Sequence, residues 1–156
     1  MQKPDTLIIK RLFISQPMHG IDDDVLVSKA RSVAEAFVRF ENPEAKIGSA
    51  AALSKPINAV LKRNGERCLM QYNIINNIFK EFVDNVMWVQ NPRLWYLGSS
   101  IAAMSTATDV IFAEEDTGAQ AKGCKVERAV CAYYGIRSWQ YHADTGTFDP
   151  LIMPAE

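Results

Sequence analysis

Apolar residues along this chain follow two rhythms. Short apolar runs of strand length occupy Leu7 to Ser15, Val110 to Ala113 and Ile136 to Tyr141. Between the first two, Val25, Ala30, Val33, Ala34, Phe37 and Val38 recur at helical spacing, opened by Asp22, Asp23 or Asp24 and closed near Glu41-Asn42-Pro43. Residues 45–52 read as a short strand. Ser54 or Lys55 before Pro56 is a helix start, with Ile57, Val60 and Leu61 as its stripe and Asn64-Gly65 as its end. Leu69, Met70, Ile74, Ile75, Ile78, Phe79 and Phe82 predict a second helix over residues 67–83, and residues 86–89 predict a strand closed by Asn91-Pro92. A helix over residues 93–106 turns Trp95, Leu97, Ile101 and Met104 to the core. A helix over residues 126–134 is capped by Gly135, and Leu151 to Met153 form a last strand.

Strands that alternate with helices predict right-handed βαβ units and a parallel sheet. The chain reads as one α/β domain over residues 1–156, with a helical insertion at about residues 53–92.

Composition narrows the function classes. Of the 156 residues, 48% are apolar and 22% charged, as in ordinary globular domains. A net charge of -1 does not suggest a general polyanion binder, so no polymeric nucleic acid is expected as a partner. The polar N-terminus and the lack of any bilayer-length apolar run predict a cytoplasmic protein with no membrane partner. Cys68, Cys124 and Cys131 form no Cys-x-x-Cys pair, and His19 and His142 lie far apart. Reduced, packed thiols and no metal site are expected.

The chemistry concentrates between Asp109 and Gly135. A buried strand ends in Glu114, Glu115 and Asp116, a loop with Gly118 and Gly123 follows, and a helix then carries Glu127. In open α/β sheets ligands bind at the carboxyl ends of strands. Ser15, Gln16, Met18, His19 and Gly20 stand at the end of the first strand.

Two stretches resemble the nucleoside 2-deoxyribosyltransferase superfamily, and more narrowly a phage and bacterial branch whose members begin with Ile-Ser-x-Pro-Met-x-Gly. The first is Leu12 to Gly20, with Ile14-Ser15-Gln16-Pro17-Met18-His19-Gly20. The second is Ala107 to Gly135, with Asp109, the acidic loop and Gly123-Cys124-Lys125-Val126-Glu127. Together they cover roughly a quarter of the chain, in the family's order. The resemblance implies a flavodoxin-like, Rossmann-like three-layer sandwich with a mostly parallel five-stranded sheet in order 2-1-3-4-5. It also implies an N-glycosidase or deoxyribosyltransferase acting on a deoxynucleoside or its 5′-monophosphate, without a cofactor and as a homo-oligomer.

Within that resemblance Glu127 matches the glutamate that attacks C1′ of the sugar, and Asp116 matches an acid near the sugar. An N-glycosidic bond breaks through an oxocarbenium-like state, which a carboxylate stabilises or traps. Ser15, Gln16, Met18, His19, Gly20 and Gly123 would contact substrate, while Ser99 and Ser100 would cap the helix of Ile101 and present its N-terminus to a phosphate. Two helpers depart from the pattern: Phe13 stands where active relatives often carry tyrosine, and Ser99 and Ser100 stand nearest an expected aspartate. These departures favour the alternative of a nucleotide-sequestering protein without turnover.

Overall fold

A computed structural model describes residues 6–47, 55–78, 88–117 and 121–155. Strand β1 (Thr6–Ser15) leads into helix α1 (Asp23–Glu41) and the two-residue β2 (Lys46–Ile47). A hairpin of β3 (Ile57–Arg63) and β4 (Glu66–Ile74) follows. Then come α2 (Pro92–Met104), β5 (Asp109–Phe112), α3 (Lys122–Tyr134), β6 (Ser138–His142) and β7 (Thr147–Ile152).

All seven strands belong to one sheet in the order β2-β3-β4-β1-β5-β6-β7. The four central strands β4, β1, β5 and β6 run parallel, and β2, β3 and β7 join antiparallel at the two sides. The expected mostly parallel, five-stranded, flavodoxin-like sheet is therefore wrong. The sheet is mixed, because two hairpins widen the parallel block.

The larger hairpin overturns the helical insertion. Its turn is Asn64-Gly65, with φ of 51° and 79°, flanked by the paired Arg63 and Glu66. Two successive positive φ values make the type I′ turn whose twist matches a two-residue hairpin. Ile57, Ala59 and Leu61 on β3, with Cys68, Met70 and Tyr72 on β4, all pack towards the α1 core. That alternation is the period of a strand. The helix expected over residues 67–83 is thus β4 in its first half, and residues 79–83 lie outside the described residues. Residues 88–90 are turn and irregular, so no strand reaches Val89, while residues 86–87 lie outside the description. In the expected strand at 45–52, only Lys46 and Ile47 are paired, and residues 48–52 are not described.

Gly65 meets nothing that an added Cβ would touch. Its requirement is purely the backbone angle. Gly65→Ala is expected to cost about 1–2 kcal/mol, read as a lower urea midpoint at unchanged slope.

β1 positions the site. Its first part pairs with β4 from Thr6 to Leu12, and its last part with β5 from Leu12 to Ser15. Leu12, Ile14 and Ile111 face the core under α1, whereas Phe13, Val110 and Phe112 face a second core with Met104 of α2 and Cys131 of α3. The chain leaves β1 and β5 towards opposite faces of the sheet. In open α/β sheets, ligands bind where neighbouring strands part in this way.

Candidate active site

Glu127 breaks the pattern of its own helix. With Cys124 and Cys131 it forms the buried stripe of α3, and it is only 5% exposed. The helix ends cleanly at Gly135, whose φ of 66° is the left-handed cap expected from the sequence. Ser15, the last residue of β1 and fully buried, donates from Oγ to Glu127 Oε1 at 3.2 Å. Ser100, from the middle of α2, donates to Oε2 at 3.4 Å. Three elements thus meet on one carboxyl group, and both of its oxygens are held by neutral hydroxyls.

Burial disfavours the ionised form and pushes the Glu127 pKa up to about 7, with the two serine bonds opposing that change. The same dry surroundings raise the Cys124 thiol, against a hydrogen bond with Ser15. They push Cys131 up to about 11, burial first and the Glu127 charge next. Neither thiol is poised as a thiolate nucleophile. All three cysteines are free and buried.

The remaining predicted residues are only partly brought together. Asp116 stands exposed in the β5–α3 connection, not among the groups hydrogen-bonded to Glu127. Gln16 is buried and turned to the scaffold, donating from Nε2 to the Leu26 carbonyl of α1 at 3.0 Å. Met18 and Gly20 shape the loop after β1: the Met18 carbonyl accepts from the Ile21 amide at 3.2 Å, and Gly20 has a φ of 75°. His19 is exposed and lies 3.0 Å from Arg93, between Nε2 and Nη2. Gly123 sits in the first turn of α3, where an added Cβ would meet only Leu97 at 3.8 Å.

The two serines of α2 correct an expectation. The helix begins at Pro92, capped by the Asn91 side chain, so Ser99 and Ser100 lie in its body and cap nothing. Ser99 bonds back to the Trp95 carbonyl at 3.1 Å. Phe13 is fully buried in the α2–α3 core. Trp95 and Tyr96 meet edge to face at 5.4 Å, both half-buried.

A second group of residues, of which only Glu114 and Glu115 stand out in the sequence, lines a separate cleft. This cleft of about 560 Å³ lies at the carboxyl ends of β5 and β6, lined by Lys29, Glu114, Glu115, Thr117 and Tyr141 among others. Its scaffold is Gln140, which donates from Nε2 to the Glu114 carbonyl at 2.8 Å and accepts from Arg128 at 2.7 Å. Arg128 in turn stacks over Phe112 at 4.4 Å. The available signal was that the acids after β5 and His142 after β6 both end strands, which become neighbours only once the sheet order is known.

No family model and no curated protein matches this chain. The site must be read from its own chemistry. Among the described residues no group of three His, Cys, Asp or Glu side chains suits a metal ion, and no helix is long and apolar enough to cross a membrane.

Proposed function

We propose that this chain acts on the N-glycosidic bond of a deoxynucleoside or its 5′-monophosphate, as a hydrolase or deoxyribosyltransferase, with Glu127 as nucleophile. The observation that carries this reading is a buried glutamate with a pKa of about 7, held at the carboxyl end of the central strand by Ser15 and Ser100. A carboxyl group so perturbed by burial, beside the end of a central strand, is a candidate functional group. The resemblance around Ser15 and Glu127 supplies the reaction class. The Glu127 carboxylate attacks C1′ as the C1′–N bond breaks, and the bonding pair leaves with the base, which takes up a proton. Water or a second base then displaces the carboxylate from C1′ and loses a proton. Ser15 and Ser100 keep the two oxygens apart and oriented; they are positioning residues. We further propose a homo-oligomer in the cytoplasm, a reducing setting that suits the three free thiols.

The test is release of free base from deoxynucleosides and their monophosphates, followed chromatographically. An ionised nucleophile predicts a rate that rises with pH through about 7 and then levels. Glu127→Ala is expected to lower it by about 10³-fold or more. Base release that persists unchanged in that variant sinks the assignment.

A second reading is a nucleotide-sequestering protein. The observation favouring it is that both Glu127 oxygens are already bonded to serines in a group 5% exposed. Tight calorimetric binding of a nucleotide without turnover would establish it.

A further inference from the structure

His142 closes β6, and both of its ring nitrogens face carboxylates from other elements. Nδ1 lies 2.5 Å from Glu115 Oε1, in the β5–α3 connection. Nε2 lies 2.8 Å from Asp149 Oδ2, on β7. The second contact follows from the sheet: His142 pairs with Thr147, so Asp149 is its diagonal neighbour on β7. An ionised carboxylate only accepts hydrogen bonds. Both nitrogens must therefore donate, and the ring that satisfies both acids is the imidazolium.

Glu115 is also part of the wall of the 560 Å³ cleft, with Glu114, Thr117 and Tyr141. That wall is held in two ways. Glu114 is tied by its carbonyl to Gln140, at 2.8 Å, and by its carboxylate to Lys29 of α1, at 3.9 Å. One residue further on, Glu115 is tied to β6 by His142, and the Thr117 amide donates to the Glu115 carbonyl at 3.0 Å.

We infer that His142 is a proton-operated latch: as an imidazolium it pins the 113–117 connection to β6 and β7, and on losing its proton it frees that connection and widens the cleft beside it. A neutral ring keeps one N–H and turns a lone pair towards the other carboxylate, so whichever bond is lost, the bridge from the connection through the ring to β7 is broken. The groups that face the ring are Glu115 and Asp149; Lys29, Glu114 and Tyr141 complete the titratable lining of the cleft. The bond to Glu115, then that to Asp149, raises the affinity of the ring for its proton above that of an ordinary histidine. The sign follows. The latch is fully closed below the ordinary pKa of 6.5 and opens as pH rises through the raised value. This device stands whether or not Glu127 is a nucleophile.

Nitrogen-15 NMR of the imidazole, paired with amide exchange across residues 113–117 corrected for intrinsic rates, tests it on the intact chain. At pH 6 both ring nitrogens should carry protons, and protection at Thr117 should fall several-fold as His142 titrates. His142→Ala should remove that step, and Asp149→Asn should move it to lower pH. A singly protonated ring at pH 6, titration without a change in protection, or a step that survives in His142→Ala would each overturn the latch. The NMR titration of the wild-type chain decides the matter even where a variant folds poorly.

Discussion

Glu127→Gln is expected to stabilise the protein at pH 8 while abolishing base release. The carboxyl group titrates at about 7 in the fold against 4.5 when unfolded. Folding at alkaline pH therefore carries the cost of an ionised group in dry surroundings, about 1.4 kcal/mol for each pH unit between those two values and about 3 kcal/mol in all. Because this acid's pKa is raised, the fold has its full stability below 4.5 and loses it as pH climbs through 7. Glutamine has the same shape: its carbonyl accepts from Ser15, and its amide donates to the Ser100 oxygen. Urea unfolding at pH 4 should find the two proteins alike within about 1 kcal/mol. At pH 8 the variant should be the more stable by up to about 3 kcal/mol. A structural glutamate would behave in the opposite way, so a variant less stable at pH 8 would refute both the stored cost and the site assignment. Strain of this kind, kept where the chemistry needs it, is the usual trade between stability and activity.

The sheet's architecture is not legible in the sequence, but several single elements are, because they have one reading only. Val33, Ala34, Phe37 and Val38 can share a helix face but not a strand face, and α1 ends at Glu41 as its Asn42-Pro43 boundary implies. Val110 to Phe112 lack any polar face, and β5 is buried throughout. The hairpin is opaque for a physical reason. Ile57, Val60 and Leu61 fit a helical stripe, but Ile57, Ala59 and Leu61 fit an alternating strand equally well, and small alanine hides that alternation. Asn64-Gly65 serves equally to end a helix or to turn a hairpin. The polar flanks Lys62, Arg63, Glu66 and Arg67, exposed on both sides of the turn, are the cue that favours two strands. Of the site, Ser15 and Glu127 are legible as polar groups at a strand end and on an apolar helix stripe. Ser100 is singled out by the sequence for the wrong reason: it reaches Glu127 from the body of α2, a relation set by how α2 and α3 pack. The His142 cluster shows in the sequence only as polar groups near strand ends, and the order β5-β6-β7 is what brings them together.

Asp109→Ala is expected to be among the most damaging single changes in the scaffold, at about 2–4 kcal/mol from the donors it leaves bare. Asp109 opens β5 and is fully buried, at the end of the strand opposite Glu114. Its Oδ1 accepts from the Trp139 indole at 3.0 Å, and its Oδ2 accepts from Thr108 Oγ1 at 2.9 Å and lies 3.6 Å from Lys10 Nζ. Lys10 also donates to Glu41 at 3.0 Å, and Glu41 accepts from the Tyr72 hydroxyl at 2.9 Å. The chain of bonds thus ties β1, α1, β4, β5 and β6 under the rings of Phe37 and Trp139, which meet at 5.4 Å. Burial, with the Glu41 charge next, drives the Tyr72 pKa upward, so its hydroxyl stays a donor at every ordinary pH. Removing Asp109 strips the indole of its acceptor and leaves Lys10 with Glu41 alone, and a buried donor left bare costs more than the bond itself contributed. Asp109→Asn keeps the acceptor for Trp139 and should lose less. Since Lys10 and Asp109 touch, Lys10→Met combined with Asp109→Ala should cost less than the two changes added. Any base release by Asp109→Ala protein that remains folded should match the wild type, because the residue serves the sheet and not Glu127. Full stability of Asp109→Ala, or a selective loss of turnover in it, would show that the start of β5 belongs to the site after all.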